Sequence, residues 1–320
     1  MNLDVLAHAP EGELPPPLSP ITLVTEAQIF YWLTAVLLVV AGLYLYGVHR
    51  LRQRGDHWPV QRTVAFLGAG LGSLAAVTVG GLGAYDTVLL SAHMVQHMVL
   101  SMVAPIFLAL GAPVTLALRV LPRRPRRLLL RVLHSPVARF YTFPLVAFAN
   151  FVVTPFVLYF TGLYRLSLEN ELFHEFVHVH FLVAGCLFFW PLVGLDPLPN
   201  RWPHAGRVLL MVAMVPFHTV LGLVIMQAKE LLGGDWYPSL GLTWADPYAD
   251  QHLAGGILWA SGEFISVVVL GVVAMQWLRA SEREARRVDR ELDRLEAAQA
   301  ADAATSPRGA VTPDGSGPTG

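Results

Sequence analysis

Charge is what this chain has least of. Lys, Arg, Asp and Glu make up 14% of its 320 residues against 54% hydrophobic residues, too little charge to clothe a water-soluble domain of this length. Cysteine is nearly absent too. With Cys186 alone, no intrachain disulfide can form, thiol usage says nothing of redox compartment, and the residue reads as small apolar packing. A cleavable signal is missing: residues 1–20 carry acids and prolines where a basic segment belongs, and the apolar run after them is too long. Internal repeats of the kind many transporters show are not evident. A metallohydrolase signature is lacking as well, because "HMVQH" has no glutamate beside His93. An enzyme is therefore not expected.

What is present is apolar length. A helix needs about 20 apolar residues to cross a bilayer, and seven stretches qualify, at roughly 28–48, 62–83, 88–110, 138–160, 172–194, 205–228 and 253–278. Backbone groups in lipid must be satisfied internally, so the spans are helices. The expected fold is all-α, a polytopic membrane helical bundle of seven transmembrane helices.

The arginines orient it. Arg50, Arg52, Arg54 and Arg62 fall in the first loop, seven more between Arg119 and Arg139 in the third, Arg201 and Arg207 in the fifth and seven in the tail, leaving only Arg165 and Lys229 of the 22 basic residues opposite. The positive-inside rule makes the majority side cytoplasmic. The amino terminus then lies outside and the carboxyl terminus inside, the parity of an odd span count, in the inner membrane of a bacterial cell. Basic loops beside lipid are topology signals, so "PRRPRR" is not read as a nucleic-acid patch.

Along the chain, residues 1–27 read as an extracytoplasmic leader, 28–278 as the transmembrane domain, 279–300 as a charged cytoplasmic helix and 301–320 as a disordered tail. The outer loop from Lys229 to Asp250, with Gly233, Gly234, Trp236, Tyr237 and Trp244, suits the membrane interface and could cover a site beneath it. Pro105, Pro155 and Pro216 sit inside spans, where each removes a backbone donor.

Histidines gather in one leaflet. His93 and His97, and again His174 and His178, are four apart, which puts each pair on one helix face about 6 Å apart at Cβ. A rise of about 1.5 Å per residue places the first pair roughly 7–14 Å inside the outer start of span three. His174 and His178 enter span five from the same side, His218 lies in the outer half of span six, and His252 opens the last span. His180 points to a different face and is left out. Met94 flanks the first pair, and Met214 shares a stripe with His218. Glu263, the one acid deep in a span, lies on the face of His252 and could orient a ligand histidine or carry a proton.

Imidazoles suit copper, zinc and iron, a thioether would favour Cu(I), and copper heads the affinity series for nitrogen sites. The expectation is a copper ion held by some of His93, His97, His174, His178 and His218, with Met94, Met214, His252 and Glu263 as lesser candidates. Two rival readings stand beside it: a haem-binding membrane electron carrier, since two histidines can ligate iron axially, and a metal or proton transporter using His218 and Glu263.

Five segments then share a likeness: "SAHMVQHMVL", "VAPIFLALGAPV", "LFFWPLVGLDP", "PFHTVLGLVIM" and "ADQHLAGGILW". In that order and placement, over about residues 28–278, the chain resembles the CtaG-type seven-helix bacterial cytochrome c oxidase assembly factors. In that likeness "HMVQH" supplies His93, Gln96 and His97, "PFHTVLG" supplies His218, and His174 with His178 match a histidine-bearing start of span five. The resemblance implies help in maturing a haem-copper oxidase by supplying copper to its buried centre. The implied partner is the oxidase subunit carrying that centre, with an extracytoplasmic copper chaperone as a candidate donor.

Overall fold

The computed structural model describes residues 14–27, 31–200 and 202–305. Among these, every regular element is helical. We number the long helices α1 (Tyr31–Gln53), α2 (Val60–Ala84), α3 (Leu90–Val120), α4 (Pro144–Tyr159), α5 (Glu171–Val193), α6 (His204–Gln227) and α7 (Pro247–Thr305). Among the described residues, six helices are long and apolar enough to cross a membrane unaided. The other, α4, is followed after a bend of 71° by the short helix Leu163–Glu169, and the pair qualifies only when taken together. The count is thus six, or seven if this broken pair is one span.

The chain divides into two compact units, Met1–Val273 and Ala274–Gly320. In the second, Val288, Leu292 and Leu295 are exposed on a helix otherwise rich in Arg, Asp and Glu. Most of the expected leader and of the expected tail, residues 1–13 and 306–320, lies outside the described residues, as do His8 and Arg201.

Small residues decide how closely the helices of the first unit approach. A Cβ on Gly185 of α5 would sit 2.1 Å from the Ser101 carbonyl oxygen of α3, so only glycine lets α5 lie against α3 at this depth. Pro105 cannot donate to that same carbonyl. The chain answers with a π-helical turn at Val99–Val103, immediately after His97, which shifts the register of the rest of α3. Gly222 of α6 and Gly255 of α7 make a similar reciprocal contact, each Cβ position falling under 3 Å from the other's carbonyl.

Buried polar groups tie the ends of the bundle. Asp196 accepts hydrogen bonds from the Thr115 amide at 2.7 Å and the Trp190 indole at 2.8 Å, joining the far ends of α3 and α5. At the other end Asp250 of α7 accepts from the Ser91 amide at 3.2 Å and from the Ser91 hydroxyl, a carboxylate placed on the electropositive start of α3. The connection 228–246 folds back over this end. Its short helix Trp236–Ser239 hangs from the Thr87 carbonyl by the Trp236 indole at 2.8 Å, and Leu240, Leu242 and Trp244 pack on Tyr85, Val88 and Leu89.

Candidate metal centre

The i, i+4 spacing on α3 and α5 puts two imidazoles on the facing side of each helix, and the Gly185 contact draws the helices together until the rings meet. His93 and His97 have ring centroids 3.9 Å apart, His174 and His178 4.3 Å. Across the interface His93 lies 5.5 Å from His174 and His97 5.9 Å from His178. All four side chains are buried. The result is a four-sided box of imidazoles closed on both helices.

One acid enters the box. Asp86, buried in the turn between α2 and α3, brings Oδ2 to 3.2 Å from His174 Nε2 and 3.9 Å from His178 Nε2. One ligand atom from each of Asp86, His174 and His178 lies within 4.8 Å of the others. The tautomer of His174 follows from its other nitrogen, which is 3.1 Å from the Ser167 carbonyl oxygen. A carbonyl only accepts, so Nδ1 carries the proton. In a neutral ring Nε2 then presents a bare lone pair to a carboxylate oxygen. Two acceptors this close call for a cation between them, either a proton or a metal ion.

A tetrahedral ion with bonds of about 2.0 Å holds its ligand atoms about 3.3 Å apart; the His174–Asp86 separation has this value, and the 3.9 Å between His178 and Asp86 is wider. On the facing helix Nε2 of His97 is buried with no hydrogen-bond partner among the described residues, and His93 faces the Asp86 backbone. Native interiors rarely leave such groups unsatisfied, and a bound ion or water is a standard reason when they do. The other nitrogen of His97 is held 2.7 Å from the Tyr159 hydroxyl, the kind of outer partner that orients ligand histidines.

The remaining candidates fall elsewhere. His218 is buried on α6 and lines, with His97, a void of about 20 Å³; it is not in ring contact with the box. Met94 and Met214 are completely buried packing residues of the core. His252 is exposed, with Nδ1 3.2 Å from the Met226 carbonyl oxygen. Glu263 accepts from the Thr219 hydroxyl and, at 3.3 Å, from the Trp259 indole. Gln96 turns away from the box and donates to the Val77 carbonyl of α2 at 3.0 Å. His180 faces its own partner, Thr154, at 3.0 Å.

The cytochrome c oxidase caa3 assembly factor family (Caa3_CtaG) matches residues 42–280, a range that contains the whole box. The chain belongs to this family. Among curated relatives, uncharacterized proteins of Mycobacterium bovis and Mycobacterium tuberculosis are each 40% identical to it over 289 residues, and one of Mycobacterium leprae is 36% identical. The matches cover 88% of this chain but 44% of those proteins, so the chain spans less than half the length of the relatives. No solved structure matches it.

In this member of the Caa3_CtaG family three contributors were invisible to helical periodicity. Asp86 counts in the sequence as one of several outer acids, and its only local mark is a place beside a span start, seven residues before His93. Tyr159 and Ser167 reach the box because the chain bends between α4 and Leu163–Glu169, where Gly162 in "TGL" is the single hint. The roof is the third. Tyr164 lies 5.2 Å from His93 by ring centroids and bonds the Tyr237 hydroxyl at 2.6 Å, while Arg165 donates to the Gly233 carbonyl at 2.8 Å and pairs with Asp235. Burial pushes the Tyr237 phenol above its ordinary pKa, keeping it neutral.

Proposed function

We propose that this protein binds a copper ion through Asp86, His174 and His178, with His93 and His97 completing the pocket, and passes it to the haem-copper subunit of a cytochrome c oxidase during assembly. The observation that carries the reading is the convergence of the His174 and His178 Nε2 atoms on one Asp86 oxygen, opposite a buried His97 Nε2 that has no hydrogen-bond partner among the described residues. Ionisable side chains inside a membrane are costly and concentrate at sites of function.

The donor set favours copper. It offers several imidazoles and one carboxylate, and copper binds such sites more tightly than the other divalent first-row ions. The seven-span count and the outward-facing site follow the arginine distribution, which puts the basic loops on the cytoplasmic side. On that reading the 228–246 connection is the extracytoplasmic roof that copper must pass, and a periplasmic-side chaperone is the donor.

The test is the copper-to-haem ratio of oxidase purified from cells whose only copy of this protein is His93→Ala, His97→Ala, with membrane levels of the variant matched to wild type. The reading predicts copper-deficient oxidase. A normal ratio removes that pair from the function.

A further inference from the structure

One histidine of α5 stays out of the box and lines a cavity of its own. Between α4 and α5 a space of about 250 Å³ is walled by Phe173, Phe176 and Phe181 of α5 and by Val153 and Val157 of α4. Phe176, Val153 and Val157 are exposed, so the cavity opens sideways, toward the lipid around a membrane helix. Its polar groups are Asn150, Thr154 and His180. Apolar and aromatic walls with a few convergent polar atoms are the usual make-up of a small-molecule site.

The protons on these groups can be counted. The single hydroxyl proton of Thr154 goes to the Asn150 carbonyl at 2.6 Å, one turn earlier on α4. Thr154 Oγ1 therefore accepts from His180 Nε2 at 3.0 Å, which fixes the proton of the neutral ring on Nε2 and leaves Nδ1 a bare acceptor. The half-buried Asn150 side-chain amide has no hydrogen-bond partner among the described residues, and it offers both a donor and an acceptor. Polar groups left uncompensated in hydrocarbon are costly. Depth decides what can satisfy them. His180 is the tenth residue of α5, roughly 14 Å along the helix from its start at Glu171, near the middle of a hydrocarbon core about 30 Å thick. Phospholipid headgroups stay at the interface, out of reach.

From this we infer that the cavity binds a lipid-soluble molecule with a hydroxylated aromatic head, of the quinol class. The hydroxyl donates to His180 Nδ1, the ring packs among the three phenylalanines, and a second oxygen pairs with the Asn150 amide. The space holds a ring rather than a whole lipid, so the apolar tail of the molecule runs out into the bilayer. A quinone, the oxidised form, carries carbonyl oxygens in place of hydroxyls. It has no proton to give His180 Nδ1, so the site prefers the quinol. The inference stands independently of the copper reading, although Phe181 is a wall of the cavity and its ring lies 4.2 Å from that of His97.

The experiment is a binding titration, followed by native mass spectrometry, of the purified, metal-free, full-length protein in detergent. The probe is a naphthoquinol bearing one isoprenoid unit, kept reduced without oxygen, with the corresponding quinone in parallel. One equivalent of quinol is expected in wild type, with the quinone bound about tenfold more weakly, the size of one lost hydrogen bond. His180→Phe and Asn150→Leu are each expected to weaken quinol binding by about tenfold, and His180→Phe to remove the preference for quinol over quinone. Val153→Trp keeps the polar groups and fills the cavity from a lipid-exposed position, so it tests the site even where a polar variant fails to fold; it is expected to abolish binding. Equal affinity of wild type for quinol and quinone, binding that survives Val153→Trp, or no binding by folded wild-type protein overturns the inference, and the cavity is then filled by acyl chains of bulk lipid.

Discussion

His174 faces Asp86 across 3.2 Å while its other ring nitrogen donates to the Ser167 carbonyl. The Ser167 contact fixes which nitrogen is bare, and the bend after α4 supplies that contact, so the broken helix sets the chemistry of a residue on the next one. Replacing the acid tests this directly. Asp86→Asn keeps the size and removes the anionic donor, and metal affinity is expected to fall at least tenfold to a hundredfold in a competition titration, the range seen when even outer partners of a metal site are lost.

Gly185→Ala acts on the same site from a distance. The new methyl meets the Ser101 carbonyl at 2.1 Å, so α5 must move away from α3. Overpacking of this kind costs about 1–3 kcal/mol. A lower melting temperature in detergent and weaker metal binding are expected together, because His174 and His178 ride on α5. Unchanged affinity with reduced stability would mean that the box does not depend on this helix contact.

The roof should respond to pH on one side only. Tyr237 has its pKa raised by burial, and a group whose folded pKa exceeds its unfolded value of about 10 contributes stability that is complete below that value and lost as pH rises through the folded pKa. Protease sensitivity of the 228–246 connection is therefore expected to stay flat from about pH 6 to 9 and to rise only above about 10. Tyr237→Phe removes the titration and one hydrogen bond worth about 0.5–1.5 kcal/mol, and should raise cleavage and metal-loading rates at all pH values.

Acid should empty the site. Ligand imidazoles must be neutral to bind, so metal is exchanged for protons as pH falls. Retained copper measured after dialysis is expected to drop as the dialysis buffer is made more acidic, more steeply in wild type than in variants that have already lost a histidine.

Control positions separate site from surroundings. His252 is exposed and bonded to a backbone carbonyl, and Glu263 is engaged by Thr219 and Trp259. His252→Gln is expected to leave metal stoichiometry and affinity at wild-type values in the same titration, and a loss there would move the site toward the start of α7.

The histidine pairs were legible in the sequence because an α-helix brings residues four apart onto one face, and depth within a span is a matter of counting. His218 shows where counting stops: its depth was readable, but the face it turns to the bundle depends on how α6 packs, and that placed it against Phe151 and Gly262 rather than in the box. Asp86, Tyr159 and Ser167 come from turns and a broken helix, whose paths are set by tertiary contacts. The π-helical turn after His97 has no local sequence cause within its own five residues; Pro105 and the close approach of Gly185 lie outside it. The expected span of 88–110 ends where the helical run does, at Leu110: Ala112, left-handed with φ of 46° between Gly111 and Pro113, separates it from the further helix Pro113–Val120.

X-ray absorption at the copper edge of the loaded full-length protein tests the central claim most directly. The account predicts a first shell of nitrogen and oxygen with imidazole outer-shell scattering, and a shell with fewer light-atom neighbours in Asp86→Ala. A sulfur-dominated shell, or folded protein that retains no copper at neutral pH, would contradict it.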